Sequence, residues 1–160
     1  MIIDESPNLE IFGVYDRGVP NKERIVLHVN RVTNLAEYFV VLGIRAPLSA
    51  NLVLPIEDHS LWLGSTYIEV PSWIFIFTGY GKAATSQETH TGQPVHTLYW
   101  KKPQVVLTHN DIVPALLHVD SVQIGNKPNK SVADILKPQD NPRMSDFSQL
   151  LKQLGENKLP

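Results

Sequence analysis

Cysteine is absent from the chain, which excludes a disulfide framework, thiol catalysis and any cysteine-based zinc site. The absence fits a reducing compartment. A basic surplus is missing as well: 14 Lys and Arg stand against 16 Asp and Glu, for a formal net charge of -2. With so few excess cations there is little counterion release to gain on a phosphate backbone, so general nucleic-acid binding is not expected. Long hydrophobic runs are lacking too. The longest, Tyr38 to Ile44 and Trp73 to Phe77, fall far short of the about 20 residues of a membrane span. The opening Met1-Ile2-Ile3-Asp4-Glu5 is acidic and has neither the basic region nor the long apolar core of a signal peptide. Together these absences set the expectation of a soluble, cytoplasmic protein that makes no membrane contact.

What is present is the composition of a globular domain: 160 residues, 42% hydrophobic and 19% charged. A chain of this size buries roughly 68–70% of its unfolded surface, enough for one core. The core is expected around Trp73-Ile74-Phe75-Ile76-Phe77, set off by Pro71-Ser72 before it and Gly79 after it. Its aromatic and β-branched content argues for a strand. Alternation places Trp73, Phe75 and Phe77 on one face and Ile74 and Ile76 on the other. Both faces are apolar, so the expected position is central, with a layer on each side.

Other strands are expected at Leu9–Tyr15, Arg24–Val32, Asn51–Leu54, Leu61–Leu63, Tyr67–Val70 and Ala115–Ile124. Glu57-Asp58-His59-Ser60 reads as a polar surface turn. Val95–Trp100 and Gln104–His109 read as a hairpin about Lys101-Lys102-Pro103. Residues 34–43 carry two signals. Asn34 as N-cap, Glu37 three residues later and a closing Gly43 suggest a helix. Phe39, Val40, Val41 and Ile44 favour a strand, and Tyr38–Arg45 is read as one. Many short strands with frequent turns and little helical periodicity indicate an antiparallel sandwich or barrel. The sandwich domain is expected over 1–127. Residues 128–160 form a prolyl linker and a C-terminal amphipathic helix, capped by Ser145 and striped by Phe147, Leu150, Leu151 and Leu154.

The order of features resembles the lamin-tail domain, an immunoglobulin-like β-sandwich of nuclear lamins and many bacterial proteins. Ile25 to Asn30 leading to Asn34-Leu35-Ala36-Glu37-Tyr38 is similar to that family's strand and Leu-Ser-Gly-Trp-like turn. Pro71 to Gly81 is similar to its strand ending in Thr-Gly. Leu98-Tyr99-Trp100 and His109-Asn110-Asp111 have counterparts as well. The turn glycine and a Pro-Gly before the central strand are missing here. The resemblance covers about Glu23 to Ile124. It implies an immunoglobulin-like antiparallel β-sandwich and a recognition or accessory role, with no activity attached.

Candidate chemistry rests on six histidines, none in a strong ligand spacing. If the hairpin has a two-residue loop, His96 and His109 share a face near Asp111, and a small metal-dependent hydrolase becomes the alternative function. Strand-end histidines bonded to backbone are the plainer explanation. His118 and Asp120 share a face and could form a carboxylate-oriented imidazole, or simply a solvated edge. Gly79-Tyr80-Gly81-Lys82 lacks the spacing and following helix of a phosphate loop, and no cofactor is expected. The long polar stretch Gly79–Pro94 is the expected binding region, with Tyr80, Lys82 and His90 as candidates. The expected function is a non-catalytic interaction domain that recognises a macromolecule, most simply a protein, through this stretch or an exposed sheet edge.

The terminal stripe is too narrow to stand alone in water. Either its own sandwich covers it or a neighbouring subunit does, giving a homo-oligomer. Helix-mediated assembly predicts that a version ending at Lys137 sediments at a lower subunit number than the full chain; identical assembly states count against it.

Overall fold

The structure, a computed structural model, describes residues 8–46 and 52–123. The chain divides into two compact units, Met1–Ser121 and Val122–Pro160. The linker and helix expected over 128–160 lie outside the described residues. The first unit is an all-β sandwich. Its strands are Leu9–Tyr15 (β1), Arg24–Val29 (β2), Thr33–Asn34 (β3), Tyr38–Arg45 (β4), Val53–Trp62 (β5), Tyr67–Ile68 (β6), Ser72–Phe77 (β7), Ala84–Gln87 (β8), Pro94–Tyr99 (β9) and Ile112–His118 (β10). One sheet has the order β1-β2-β7-β9-β8, a second β10-β4-β5, and β3 pairs with β6.

The expected central strand is β7, third of five. Ile74 and Ile76 are fully buried. They join Leu9, Ile25, Leu27 and Val29 of their own sheet and Tyr38, Val40 and Leu42 of the other in one core. Each such side chain contributes roughly 1.5–3 kcal/mol by leaving water. The expectation of a second covering layer is corrected: Trp73, Phe75 and Phe77 face outward and are only half-buried. Side chains cover them instead. The Arg24 guanidinium lies 5.9 Å from the Phe75 ring and 5.8 Å from that of Phe77. Phe12 meets Trp73 edge-on at 5.0 Å, and Tyr99 stacks on Phe77 at 5.4 Å. Phe12 follows the core-facing Ile11 and so lies on the outer face, and the bulge between Ile11 and Gly13 then turns Val14 back to the core.

The strand at Tyr38–Arg45 forms as expected, and so does part of the competing helix. Asn34 Oδ1 accepts the Ala36 N–H at 3.1 Å, capping one 3₁₀ turn at Leu35–Glu37. Tyr38 then takes the extended conformation, φ -122, and β4 begins. The local signal was real, but its branched and aromatic continuation confined it to three residues.

Two other expectations are corrected. The strands expected at Asn51–Leu54 and Leu61–Leu63 are replaced by the single 10-residue strand β5, which runs from Val53 through the polar turn to Trp62, while Asn51 lies outside the described residues. Glu57-Asp58-His59 sits in a bulge: Val41 faces Ser60, yet Gly43 faces Pro55, and Asp58 has φ 59. The hairpin of Val95–Trp100 with Gln104–His109 does not form. Both edges of β9 are occupied, by β7 in parallel and by β8 antiparallel. The polypeptide leaves β7, crosses the end of β9, descends as β8 and returns as β9 between them. Within the expected loop Gly79–Pro94, Ala84–Gln87 is therefore sheet, and Pro94 opens β9.

Residues 104–109 are held by another partner, Glu23. This side chain is fully buried at the start of β2. Its carboxyl oxygens accept the N–H groups of Gly18 (2.8 Å), Val106 (2.9 Å) and Leu107 (3.0 Å) and the Thr78 hydroxyl (2.8 Å). Its backbone carbonyl accepts the Thr78 N–H at 3.1 Å. Among the described residues no buried side-chain polar atom lacks a partner, so this hub is fully satisfied. Each buried donor left unpaired costs about 1–3 kcal/mol. Glu23→Ala strands four donors, and equilibrium denaturation should show a loss of at least about 3 kcal/mol. An unchanged midpoint would refute the hub.

Candidate functional site

The site is built on β8, Ala84-Thr85-Ser86-Gln87. All four residues are exposed. Alternation gives the strand no apolar face, so nothing but β9 holds it: Ala84 pairs Thr97, Thr85 pairs His96, Ser86 pairs Val95 and Gln87 pairs Pro94. It ends the five-stranded sheet, and its other edge has no strand partner among the described residues.

A stiff turn closes the β8–β9 hairpin at one end. Glu88 Oε2 accepts the His90 N–H at 3.0 Å, the Thr91 N–H at 2.6 Å and the Thr91 hydroxyl at 2.8 Å. Gly92 takes the left-handed conformation there, φ 69. The turn is also tied inward, by the Trp73 indole N–H donating to Gln93 Oε1 at 2.7 Å.

At the other end of β8 lies a groove of about 360 Å³. Leu61, Trp62, Leu63, Leu98 and Tyr99 line its apolar walls, and Lys82 and Lys101 its polar rim. Gly81 crosses the Tyr99 ring so closely that a Cβ would stand 2.2 Å from it. Only glycine lets the backbone pass there. Lys101 holds φ 62, rare for a side-chain-bearing residue, and its N–H donates to the Gly79 carbonyl at 3.0 Å. The carboxylates that form ion pairs among the described residues lie elsewhere, at Glu10, Asp16, Glu37 and Asp120. Lys102, in contrast to its neighbour, is engaged: its ammonium donates to the Asp58 carbonyl at 2.5 Å.

The sequence candidates separate on this frame. Lys82 lines the groove, and Tyr80 is exposed two residues before it. His90 sits in the turn at the opposite end of β8, roughly 15 Å away along the strand at about 3.3 Å per residue. His96 lies on β9 with Nδ1 3.3 Å from the Thr85 hydroxyl. Burial lowers its pKa from 6.5, which leaves the ring neutral at pH 7. His109 is exposed before β10, its carbonyl accepting from Arg17 at 3.1 Å. Asp111 is exposed, and its carbonyl accepts the Arg45 N–H at 2.9 Å. His96 and His109 are thus not cross-strand neighbours. Among the described residues no three His, Asp or Glu side chains come together in a way that could hold a metal ion.

His118 does meet Asp120, Nδ1 to Oδ1 at 3.4 Å, and Glu37 faces its other nitrogen at 3.3 Å. The ring stacks on Tyr38 at 4.6 Å. Both carboxylates are at least half exposed, so the cluster is a solvated sheet margin. Trp62, Lys101 and the β8 edge were not foreseen. The one available signal for β8 was Thr85 with its neighbours between two glycine-bounded turns, but a polar edge strand shows no apolar alternation.

Compared with protein-family models, curated proteins and solved structures, the chain matches none of them. Among the described residues no helix is long and apolar enough to cross a membrane.

The turn has a pH signature. Hydrogen bonding, first from the His90 N–H and then from Thr91, lowers the Glu88 pKa from 4.5 to about 2. A group whose folded pKa is depressed stabilises above its unfolded value and loses that contribution as pH falls toward the folded one. The turn should therefore be intact above pH 4.5 and loosen as pH approaches about 2. The His90 and Thr91 amide resonances report it, and in Glu88→Gln they should stop titrating over this range.

Proposed function

We propose that the chain is a non-catalytic recognition domain of the cytoplasm, a divergent relative of the lamin-tail domain. It binds a protein partner by accepting an extended segment of that partner against β8. The observation that supports this reading is a contrast among the four edges of the two larger sheets. Exposed edges template pairing with other chains, and proteins guard them with prolines, charges or bulges. β1 carries a bulge at Phe12 and the exposed Glu10. β5 carries Pro55 and the Glu57-Asp58 bulge, and β10 carries Pro114. β8, four residues long, carries no proline, charge or bulge. Added strands gain main-chain hydrogen bonds whatever their sequence, with side-chain pockets supplying selectivity. The two earlier expectations, recognition through Gly79–Pro94 and recognition through a sheet edge, become one surface, because β8 lies within that stretch. A metal-dependent hydrolase on His96, His109 and Asp111 has no comparable support, since the hairpin meant to join them is replaced by the β7–β9–β8 arrangement.

Peptides selected from a random library against the folded protein should shift the amide resonances of Ala84–Gln87. Ser86→Lys, which puts a charge on the edge, and Gln87→Pro, which removes a donor from its open side, should each weaken them by about tenfold or more at an unchanged unfolding midpoint. Binders that perturb other residues and tolerate both substitutions refute the edge. A concentration-dependent mass restored to monomer by Ser86→Lys would replace the partner segment with a second copy of this chain.

A further inference from the structure

We propose that the segment added to β8 runs antiparallel to it and terminates there, its free C-terminal carboxylate seated between Lys82 and Lys101 and its last side chain in the groove behind them. This rests on strand addition at β8 and specifies the direction and chemistry of the ligand.

The groove begins where β8 begins. Lys82 and Ala83 line it and Ala84 is the first paired residue. On the neighbouring strand, Thr97 is the last residue to face β8, while Leu98 and Tyr99 continue past it as groove wall. An antiparallel newcomer brings its C-terminus to this end of β8. A parallel one would bring its N-terminal ammonium. Only the first complements the lining, which contains two lysines and no Asp or Glu. No ion pair engages either lysine among the described residues.

The lysines are also positioned. Lys101 is held in the left-handed conformation by its bond to Gly79 and by the next residue's N–H on the Thr78 carbonyl at 2.8 Å. Non-glycine residues kept in that region concentrate at ligand clamps and other functional sites. Lys82 follows Gly81, whose backbone passes close against the Tyr99 ring. Behind both, Leu63 is nearly buried and Trp62 is half exposed, so the wall runs from dry to wet as a terminal apolar side chain requires. The volume, about 360 Å³, is at the small end of the range for ligand sites, about 300–1,000 Å³. It suits one terminal residue better than a larger cofactor.

The test uses the full chain and the tightest library peptide with a free C-terminus, compared with the same peptide amidated at that end and with one extended by a glycine there. Amidation and extension should each weaken binding by about tenfold, and more salt should shrink the amidation effect. Lys82→Met with Lys101→Met should erase the difference between free and amidated peptide while the Ala84–Gln87 amides still shift. Equal binding of all three peptides, with those amides still shifting, overturns the terminal carboxylate and leaves strand addition standing. Failure of every peptide to shift those amides overturns strand addition and the carboxylate seat together. Because the double variant changes only exposed side chains, an unchanged unfolding midpoint separates a lost site from a lost fold.

Discussion

Four donors converge on the carboxyl group of Glu23, and the path of the chain around β9 depends on that convergence. Gly18 brings the β1–β2 turn, Thr78 the end of β7, and Val106 and Leu107 a segment far along the chain. A carboxyl group can accept on four lone-pair sites, so one side chain ties the β1–β2 turn and the end of β7 to residues 106–107, which belong to no strand. The consequence reaches the surface. With residues 104–109 anchored to Glu23 they are not available to β9, and β9 takes β8 as its second neighbour. The open edge is thus a distant result of a buried polar knot. Such knots stabilise only when every member is satisfied, which is the state found here.

The outer face of the same sheet shows how an apolar strand can be accommodated without a second layer. Trp73, Phe75 and Phe77 project away from the core, and Arg24 lies within 6 Å of the rings of Tyr15, Phe75 and Phe77. A guanidinium spread over aromatic faces is attracted by the ring quadrupoles, and here its Nη1 also donates to the Lys22 carbonyl. Asp16 pairs with it from the β1–β2 turn. The face is therefore shielded by one long side chain and its neighbours, and the expectation of two layers failed for want of that alternative.

The local signals survived wherever the decisive interactions were local. Alternation at β7, the branched run of β4 and the Asn34 cap are readable from adjacent residues, and all three are present. The pairing partners were not readable. A hairpin at Lys101-Lys102-Pro103 is the default for two strands and a tight turn, and it lost to a contact between Glu23 and Val106 that spans 83 positions. Glu23 itself looks like an ordinary surface charge in the sequence, because burial of a carboxyl group is visible only once its donors are placed. β8 was hidden for the opposite reason: an edge strand exposed on both faces obeys no hydrophobic period. The binding region was legible as a stretch, through its length and polarity, but not as a geometry. Of its three candidate residues only Lys82 lines the groove.

The parallel pairing of β7 with β9 explains why two lysines distant in sequence share that groove. Parallel strands end at the same side of a sheet, so the chain leaving β7 after Phe77 and the chain leaving β9 after Tyr99 emerge together. The first connection must then cross the end of β9 to begin β8, and the crossing requires Gly81 where it passes over Tyr99. Lys82 follows that glycine, and Lys101 follows the end of β9. Had the expected antiparallel hairpin formed, β9 would have been free to pair differently and nothing would have forced the two exits to coincide. The same inversion of strand order therefore leaves β8 open on one side and gathers positive charge at the end where an antiparallel strand would finish.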